Sequence, residues 1–362
     1  MTRKVMLVNV DCRWNLAIRR MRTYYEAQGC EVDMRDLGYG FYPHSKSCVI
    51  DAAGYELVAV SNIFETNAYR VEVVNCENVV YGGVGSRDGT RMLPPEIEAC
   101  EPWYGPEEDT AHGFITRGCI RNCYFCKVPK HEGALRPYRS VEEVVGGFKK
   151  AVFMDNNILA WGGAEDAMDW LAEHRISCEF NQGLDIRLVT ESNLERLAAL
   201  NYRGEYAFAL DDARMIPFVE KRLGLVKRYI PKPWKLKFFV YVGPKMAPEE
   251  TVRRVEFLKE HECLPYVMRD IAVYRAGNDL SNFYTDLAAW CNQPGLFKKM
   301  DFGEFLDKRH PRNQRRGGCR SRSGTATRSD ARRAGARRRG CLKTSTGMAF
   351  AANASSDEEK ED

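Results

Sequence analysis

From His112 onward, six short apolar stretches alternate with six amphipathic ones, and no other feature of this 362-residue sequence restricts its fold as strongly. Strand character falls on 112–117, 151–160, 177–186, 205–211, 235–243 and 264–274, and helical spacing on 140–149, 165–176, 191–201, 216–228, 248–261 and 282–291. The helix starts carry their own signals: Ser140 with Glu143 forms a capping-box pattern, and Pro248, Glu249 and Glu250 place proline and acids in a first turn. Alternating strand and helix predicts parallel β/α units. Six units fall short of the eight that normally close a barrel, so the expectation is an α/β fold with an open, partial (β/α)6 barrel, and functional groups belong at the C-terminal ends of its strands.

The loop after the first of these strands holds Cys119, Cys123 and Cys126, three thiols within eight residues. Soft ligands this close together suit an iron–sulfur cluster or zinc. For zinc, His112 or His131 would complete the set, but structural zinc sites usually show two separated ligand pairs and the chain has no second Cys-x-x-Cys. A cubane on three thiolates would instead keep one iron open to a small molecule. The scattered cysteines, Cys12, Cys30, Cys48, Cys76, Cys100, Cys178, Cys263 and Cys291, are expected to be mostly reduced core residues, because disulfide scaffolds are short and far denser in cysteine.

The pattern Cys-x3-Cys-x2-Cys, with the aromatic Phe125 before the last cysteine, resembles the signature of the radical S-adenosylmethionine (radical SAM) superfamily. The resemblance implies a [4Fe–4S] cluster on Cys119, Cys123 and Cys126, with S-adenosyl-L-methionine chelating the open iron. An electron from a reductant protein or small-molecule donor would cleave the cofactor to methionine and a 5′-deoxyadenosyl radical, which abstracts hydrogen from an unidentified substrate. It also implies cofactor-binding positions. Phe125 would pack near the adenine. Asn156 and Asn157 stand where the superfamily often has a Gly-Gly-Glu type segment, from which this chain departs with Asp155-Asn156-Asn157 and, later, Gly162-Gly163-Ala164-Glu165. Arg187 would pair the cofactor carboxylate, or else Asp185. Asp211 would accept from the ribose hydroxyls, or cap the next helix. Arg117, Arg121, Lys127 and Lys130 flank the thiols, and positive charge favours thiolates. Tyr241 is a further candidate for the pocket wall, and Arg269 with Asp270 reads as an internal ion pair.

Ahead of this core, strand character at 4–10, 56–64 and 78–85 and a helix at 15–29 predict a Rossmann-like α/β domain over residues 1–108, joined through a proline-bearing linker at 86–111. The core spans 109–300 and an extension 301–362. Gly82, Gly83 and Gly85 lack the dinucleotide-binding spacing, so a tight turn is expected there. The cobalamin-dependent branch of the superfamily shares the two-domain layout, but His44 lacks the flanking Asp and Gly of an Asp-x-His-x-x-Gly loop. Methylthiotransferases also carry an α/β domain and a second cluster on three N-terminal cysteines. Cys12, Cys48 and Cys76 imitate that set loosely, which makes a tRNA-modifying methylthiotransferase-like enzyme the alternative within the superfamily.

Charge divides the chain unevenly. Its net +4 hides 13 Lys or Arg against the single acid Asp330 in 309–343, then five acids with Lys360 in 357–362, which leaves residues 1–308 at −4. A mildly acidic body offers no global footprint for nucleic acid. The tail lacks apolar periodicity and is expected to be disordered. Its basic half is a candidate RNA contact that salt would weaken. A non-enzymatic, zinc-stabilised nucleic-acid-binding protein is therefore the competing class. No stretch approaches the roughly 18 apolar residues of a membrane span, and the first residues lack a signal peptide's features, so a cytoplasmic protein without membrane attachment is expected.

Overall fold

The computed structural model describes residues 2–38, 47–88 and 91–311; His44 and the tail from residue 312 lie outside the described residues. The N-terminal part is built on β1 (Lys4–Asn9), whose last five residues are buried, as suits a central strand covered on both faces. Helix α1 (Leu16–Ala27) follows, capped by the Asn15 side chain, which accepts from the Ile18 N–H at 3.2 Å. Then come β2 (Glu31–Asp36), β3 (Cys48–Asp51), β4 (Leu57–Ser61), β5 (Val71–Val74) and β6 (Val79–Gly82). A parallel sheet runs in the order β2-β1-β4-β6, while β3 and β5 pair separately, also parallel. The N-terminal part thus holds more strands than the three expected. The polar run Glu31-Val32-Asp33-Met34-Arg35-Asp36 gave β2 no apolar signature because it lies at the sheet edge.

Gly83 forms the turn expected after β6. Its φ is +93°, and a Cβ there would run into the Asn62 backbone, so glycine is required where the turn crosses the loop after β4. The presumed linker is docked: it forms α2 (Pro95–Glu98), Arg20 pairs Glu98 at 2.8 Å, and Arg19 grips Glu108 with both terminal nitrogens at 2.6 Å.

The remainder follows the predicted alternation. Strand β7 (Thr110–Gly113) leads to a short antiparallel pair, β8 (Thr116–Arg117) with β9 (Arg136–Pro137), that brackets α3 (Val128–His131). Next come α4 (Val141–Val145), β10 (Lys150–Phe153), α5 (Ala164–Glu173), β11 (Ser177–Phe180), α6 (Glu191–Ala199), β12 (Asn201–Tyr202), β13 (Tyr206–Ala209) and α7 (Ile216–Tyr229). Then β14 (Leu236–Val242), α8 (Pro248–Glu260), β15 (Leu264–Arg269), α9 (Ile271–Arg275), α10 (Asp279–Cys291), α11 (Pro294–Lys299) and α12 (Phe302–Arg309) complete the described chain. The capping box at Ser140 and Glu143 is present in both directions.

Strand pairing is parallel throughout this part, apart from β8 and β9, but it is divided into a four-stranded sheet, β12-β11-β10-β7, and a three-stranded one, β13-β14-β15. Between them Leu184 N–H donates to the Ala207 carbonyl at 2.5 Å. The molecule is therefore a mixed α/β structure with several parallel sheets. One apolar core, running from Ala111 to Phe305, underlies both sheets, and smaller clusters occupy the N-terminal sheet.

Several strands end earlier than their apolar runs suggest. The run 112–117 breaks after Gly113, 151–160 ends at Phe153, 177–186 at Phe180 and 264–274 at Arg269. In two of these, a carboxylate draws the chain out of the ladder: Asp155 accepts from Ile115 N–H and Thr116 Oγ1, and Asp270 accepts from Ala272 N–H.

Candidate functional site

The cysteine loop leaves the C-terminal end of β7 and is clasped at its base by the β8–β9 pair. Gly118 has φ +80°, and a Cβ there would collide with the Ala134 carbonyl, so the two ends of the loop cross at a position only glycine fills easily. Cys119 N–H donates to Gly133 O at 3.2 Å, and Cys126 N–H to Cys123 O at 2.9 Å, which folds the last two cysteines into one turn. Glu132 ties the base together, accepting from Gly118 N–H at 2.9 Å and Asn156 Nδ2 at 2.9 Å while pairing Arg117 at 3.3 Å.

All three thiols are reduced and half-buried. Burial pushes the Cys123 and Cys126 thiols above their ordinary range, and the neighbouring thiols and Asp211 add to this. Arg187 pulls Cys123 the other way. Three of the four cations expected to favour thiolates are engaged elsewhere: Arg117 with Glu132, Arg121 with Asp185, and Lys127 with Glu65 of the N-terminal layer. Among the described residues no three His, Cys, Asp or Glu side chains are gathered as a metal-holding group. The donor set itself is chemically that of a soft metal centre, three thiols on one short loop with no carboxylate interleaved. Binding would have to draw them together.

His112 is not positioned as a ligand for them. Its ring stacks on Trp14 at 4.1 Å, its Nδ1 lies 3.1 Å from Thr110 O, and burial pushes it down to about 4, so it is neutral near pH 7. The N-terminal cysteines are held separately: Cys12 Sγ donates to Trp14 O at 3.1 Å, Cys76 Sγ to Tyr55 O at 3.5 Å, and Cys48 packs on the N-terminal core.

Around the loop, the ends of later strands converge. The Phe125 ring stacks on that of Tyr241, from β14, with centroids 3.9 Å apart and planes 11° from parallel. Tyr241 donates its hydroxyl to Asp270 at 2.7 Å. After β11, Asp185 accepts from Arg187 Nε at 2.6 Å, Arg187 Nη2 at 3.0 Å, Arg121 Nε at 2.8 Å and Asn157 Nδ2 at 3.3 Å. Burial opposes ionisation of Asp185, but the two guanidinium groups outweigh it and hold the carboxyl below its usual range. Asn157 Oδ1 is buried without a partner.

Asp211 lies two residues beyond β13 and accepts from Tyr241 N–H at 3.0 Å. Burial raises its carboxyl, against that hydrogen bond and the nearby Arg254 and Arg187. The N-cap role belongs to Asp212, which accepts from Arg214 N–H at 2.8 Å. The expected Arg269–Asp270 ion pair does not form: Arg269 donates to Thr285 Oγ1 at 2.8 Å, while Asp270 caps α9 and takes the Tyr241 hydroxyl. Gly162, Gly163 and Glu165 instead start α5, and Glu165 turns to Ser192 and Arg196.

Sequence reasoning missed Arg254, which is completely buried behind Asp211. It donates to Leu210 O and Tyr241 O, both at 3.0 Å, and to Thr251 Oγ1 at 2.9 Å. Its place on an otherwise charged helix, Glu249 to Glu260, left it indistinguishable from solvent-facing neighbours.

No protein-family model matches the chain, and no curated protein does. Among solved structures it is similar to SuiB of Streptococcus suis, determined bound to the precursor peptide SuiA, with a TM-score of 0.36 and 14% sequence identity over 50% of this chain and 46% of SuiB. The match spans about half of either chain and is too slight to fix fold, activity or partner. No described helix is long and apolar enough to cross a membrane.

Proposed function

We propose that this protein is a radical SAM enzyme in which Cys119, Cys123 and Cys126 hold a [4Fe–4S] cluster. One observation carries the reading. The cysteine loop follows the first of a succession of parallel strands, and its own Arg121 and Phe125 reach residues of the third and fifth. A ring contact at 3.9 Å between loop and fifth strand supports a curled sheet, the partial (β/α)6 barrel, across the two hydrogen-bonded sheets. The boundaries 1–108, 109–300 and 301–362 belong to the same reading.

With S-adenosylmethionine bound, such a cluster supplies an electron and a 5′-deoxyadenosyl radical for hydrogen abstraction. The chain's residues position and enclose the reactants. Phe125, stacked face to face on Tyr241, offers an aromatic ring for the adenine to pack against. Asp211 is a buried acceptor suited to ribose hydroxyls. Arg187 commits Nε and Nη2 to Asp185, which leaves Nη1 for the cofactor carboxylate. Asn156 and Asn157, just beyond β10, complete the polar side facing the loop. An external reductant is required.

The test is anaerobic reconstitution with iron and sulfide, followed by dithionite and S-adenosylmethionine. Wild-type protein is expected to bind four irons and release 5′-deoxyadenosine, and Cys123→Ala to do neither while retaining its helical circular dichroism. Cofactor cleavage by Cys123→Ala, or a wild-type protein that takes up only zinc, overturns the reading.

A further inference from the structure

A cleft of about 780 Å³ separates the N-terminal layer from the sheet that starts at β7. Its floor is one register row. His112 on β7 lies beside Val152 on β10, and Val152 beside Glu179 on β11; continuing the β11–β12 pairing sets Arg203 next to Glu179. All four residues line the cleft. Its roof comes from the loops after β1 and β4, including Trp14 and Phe64. Those two strands are neighbours, and the chain leaves β1 towards β2 on one side and towards β4 on the other, so the cleft opens at the switch point of this sheet, where open parallel sheets bind ligands.

Glu179 and Arg203 are opposite charges on adjacent strands, an arrangement that ordinarily closes into a pair. Here they form no ion pair, and neither side chain makes a hydrogen bond to another described residue. Arg203 Nε, Asn181 Oδ1 and Trp14 Nε1, all on residues that line the cleft, are among the buried polar atoms without partners. Of the other acids that line the cleft, Asp11 is used by Ile63 N–H and Phe64 N–H, Glu108 by Arg19 and Asp109 by Lys150, while Glu107 and the cation Arg13 are exposed to solvent. Stacking of a planar base on Trp14 is blocked, because His112 covers one part of its ring system at 4.1 Å and the Arg19 guanidinium lies 3.4 Å from the ring centroid.

We propose that this cleft binds the α-amino-acid group of the substrate, with Arg203 taking the carboxylate and Glu179 taking the ammonium. Two unbonded, oppositely charged side chains on adjacent strands, whose backbones stand about 4.8 Å apart, match a ligand whose own opposite charges are separated by a single carbon. His112 is neutral and leaves that pair as the floor's charges. The inference names the substrate class of the enzyme proposed above and rests on that reading only for the word substrate. S-adenosylmethionine carries the same group, so the experiment must separate the two sources.

Isothermal titration of the full chain with each of the twenty standard L-amino acids, and with S-adenosylhomocysteine, makes the test. At least one amino acid is expected to bind with a Kd below about 1 mM. Glu179→Gln and Arg203→Gln should each weaken it about 10-fold or more, and leave S-adenosylhomocysteine binding within twofold. The N-acetyl amide of that amino acid should not bind. Thermal melting of both variants within a few degrees of wild type certifies their fold. Failure of all twenty to bind, or equal binding by the variants, overturns the proposal. A parallel loss of S-adenosylhomocysteine binding also overturns it, by giving the cleft to the cofactor. Amino-acid binding does not require the cluster, so failure of the 5′-deoxyadenosine assay would remove the enzyme reading and leave this result standing.

Discussion

Arg121 Nε lies 2.8 Å from Asp185 Oδ2 and ties the cysteine loop to the chain just beyond β11. The same carboxylate holds Arg187 and Asn157, and its side chain is only 6% exposed, so the loop's position depends on one buried acceptor serving three donors.

Asp185→Asn is therefore expected to destabilise more than Arg121→Ala. Removing the carboxylate leaves two guanidinium groups and an amide without their anion, at about 2 to 3 kcal/mol. Arg121 is about one-third exposed, and its loss leaves Arg187 in place, so less than about 1 kcal/mol is expected. Urea unfolding of both variants decides it; equal midpoints would show that Asp185 does not organise this side of the loop.

Tyr241 supports the loop in two separable ways. Tyr241→Phe keeps the stack on Phe125 but loses the hydroxyl's bond to Asp270, whereas Tyr241→Ala loses both. The aromatic contact is worth about 0.5 to 1.5 kcal/mol beyond buried area. Iron retained after reconstitution and gel filtration should stay near wild type in the Phe variant and fall clearly in the Ala variant. Similar retention in both would separate the stack from loop order.

Arg254→Met should cost about 3 to 5 kcal/mol, because it leaves Asp211 buried with its nearest compensating charge removed and frees two carbonyls. Arg254→Met combined with Asp211→Asn should recover a large part of that loss, since the uncompensated charge is then gone as well. A double-mutant cycle by chemical denaturation measures the coupling, and strictly additive effects would contradict it.

Those three sites show what the sequence could and could not convey. The alternation of apolar and amphipathic runs is local, so the order and parallel sense of the strands were legible, and so was the placement of the thiols after the first of them. Strand lengths were not, because Phe153 and Phe180 end their ladders for a reason that lies elsewhere: the chain turns to carry Asp155 to the N–H groups of Ile115 and Thr116 and to bring Asp185 under two arginines. The cations beside the thiols read as free partners for them, yet Arg117, Arg121 and Lys127 each had a carboxylate 15 or more residues away. Arg254 was invisible because burial of a charge leaves no mark on the periodicity of a helix that is charged on most faces. The row from His112 to Arg203 depends on register across four strands, which no local pattern specifies.

That row and the strand ends above it make opposing contributions to acid stability. His112 is pushed down to about 4 by burial, so between about pH 6.5 and 4 the unfolded chain binds a proton there that the folded chain does not, and folding weakens as pH falls. Asp155, 1% exposed, is pushed up to about 6 by burial against its hydrogen bonds from Thr116 and Ile115. Between about pH 6 and its ordinary value near 4 the folded chain binds the extra proton, and this group strengthens folding as pH falls, by an amount on the order of 2 to 3 kcal/mol. The two partly cancel in the wild type. Asp155→Asn keeps an acceptor for the loop but removes the second contribution, so its stability should drop more steeply than wild type from pH 6.5 to 4.5. His112→Gln removes the first and should flatten the profile or reverse its slope. Urea unfolding across that range checks both signs, and parallel profiles for all three proteins would show that neither group is held away from its ordinary proton affinity.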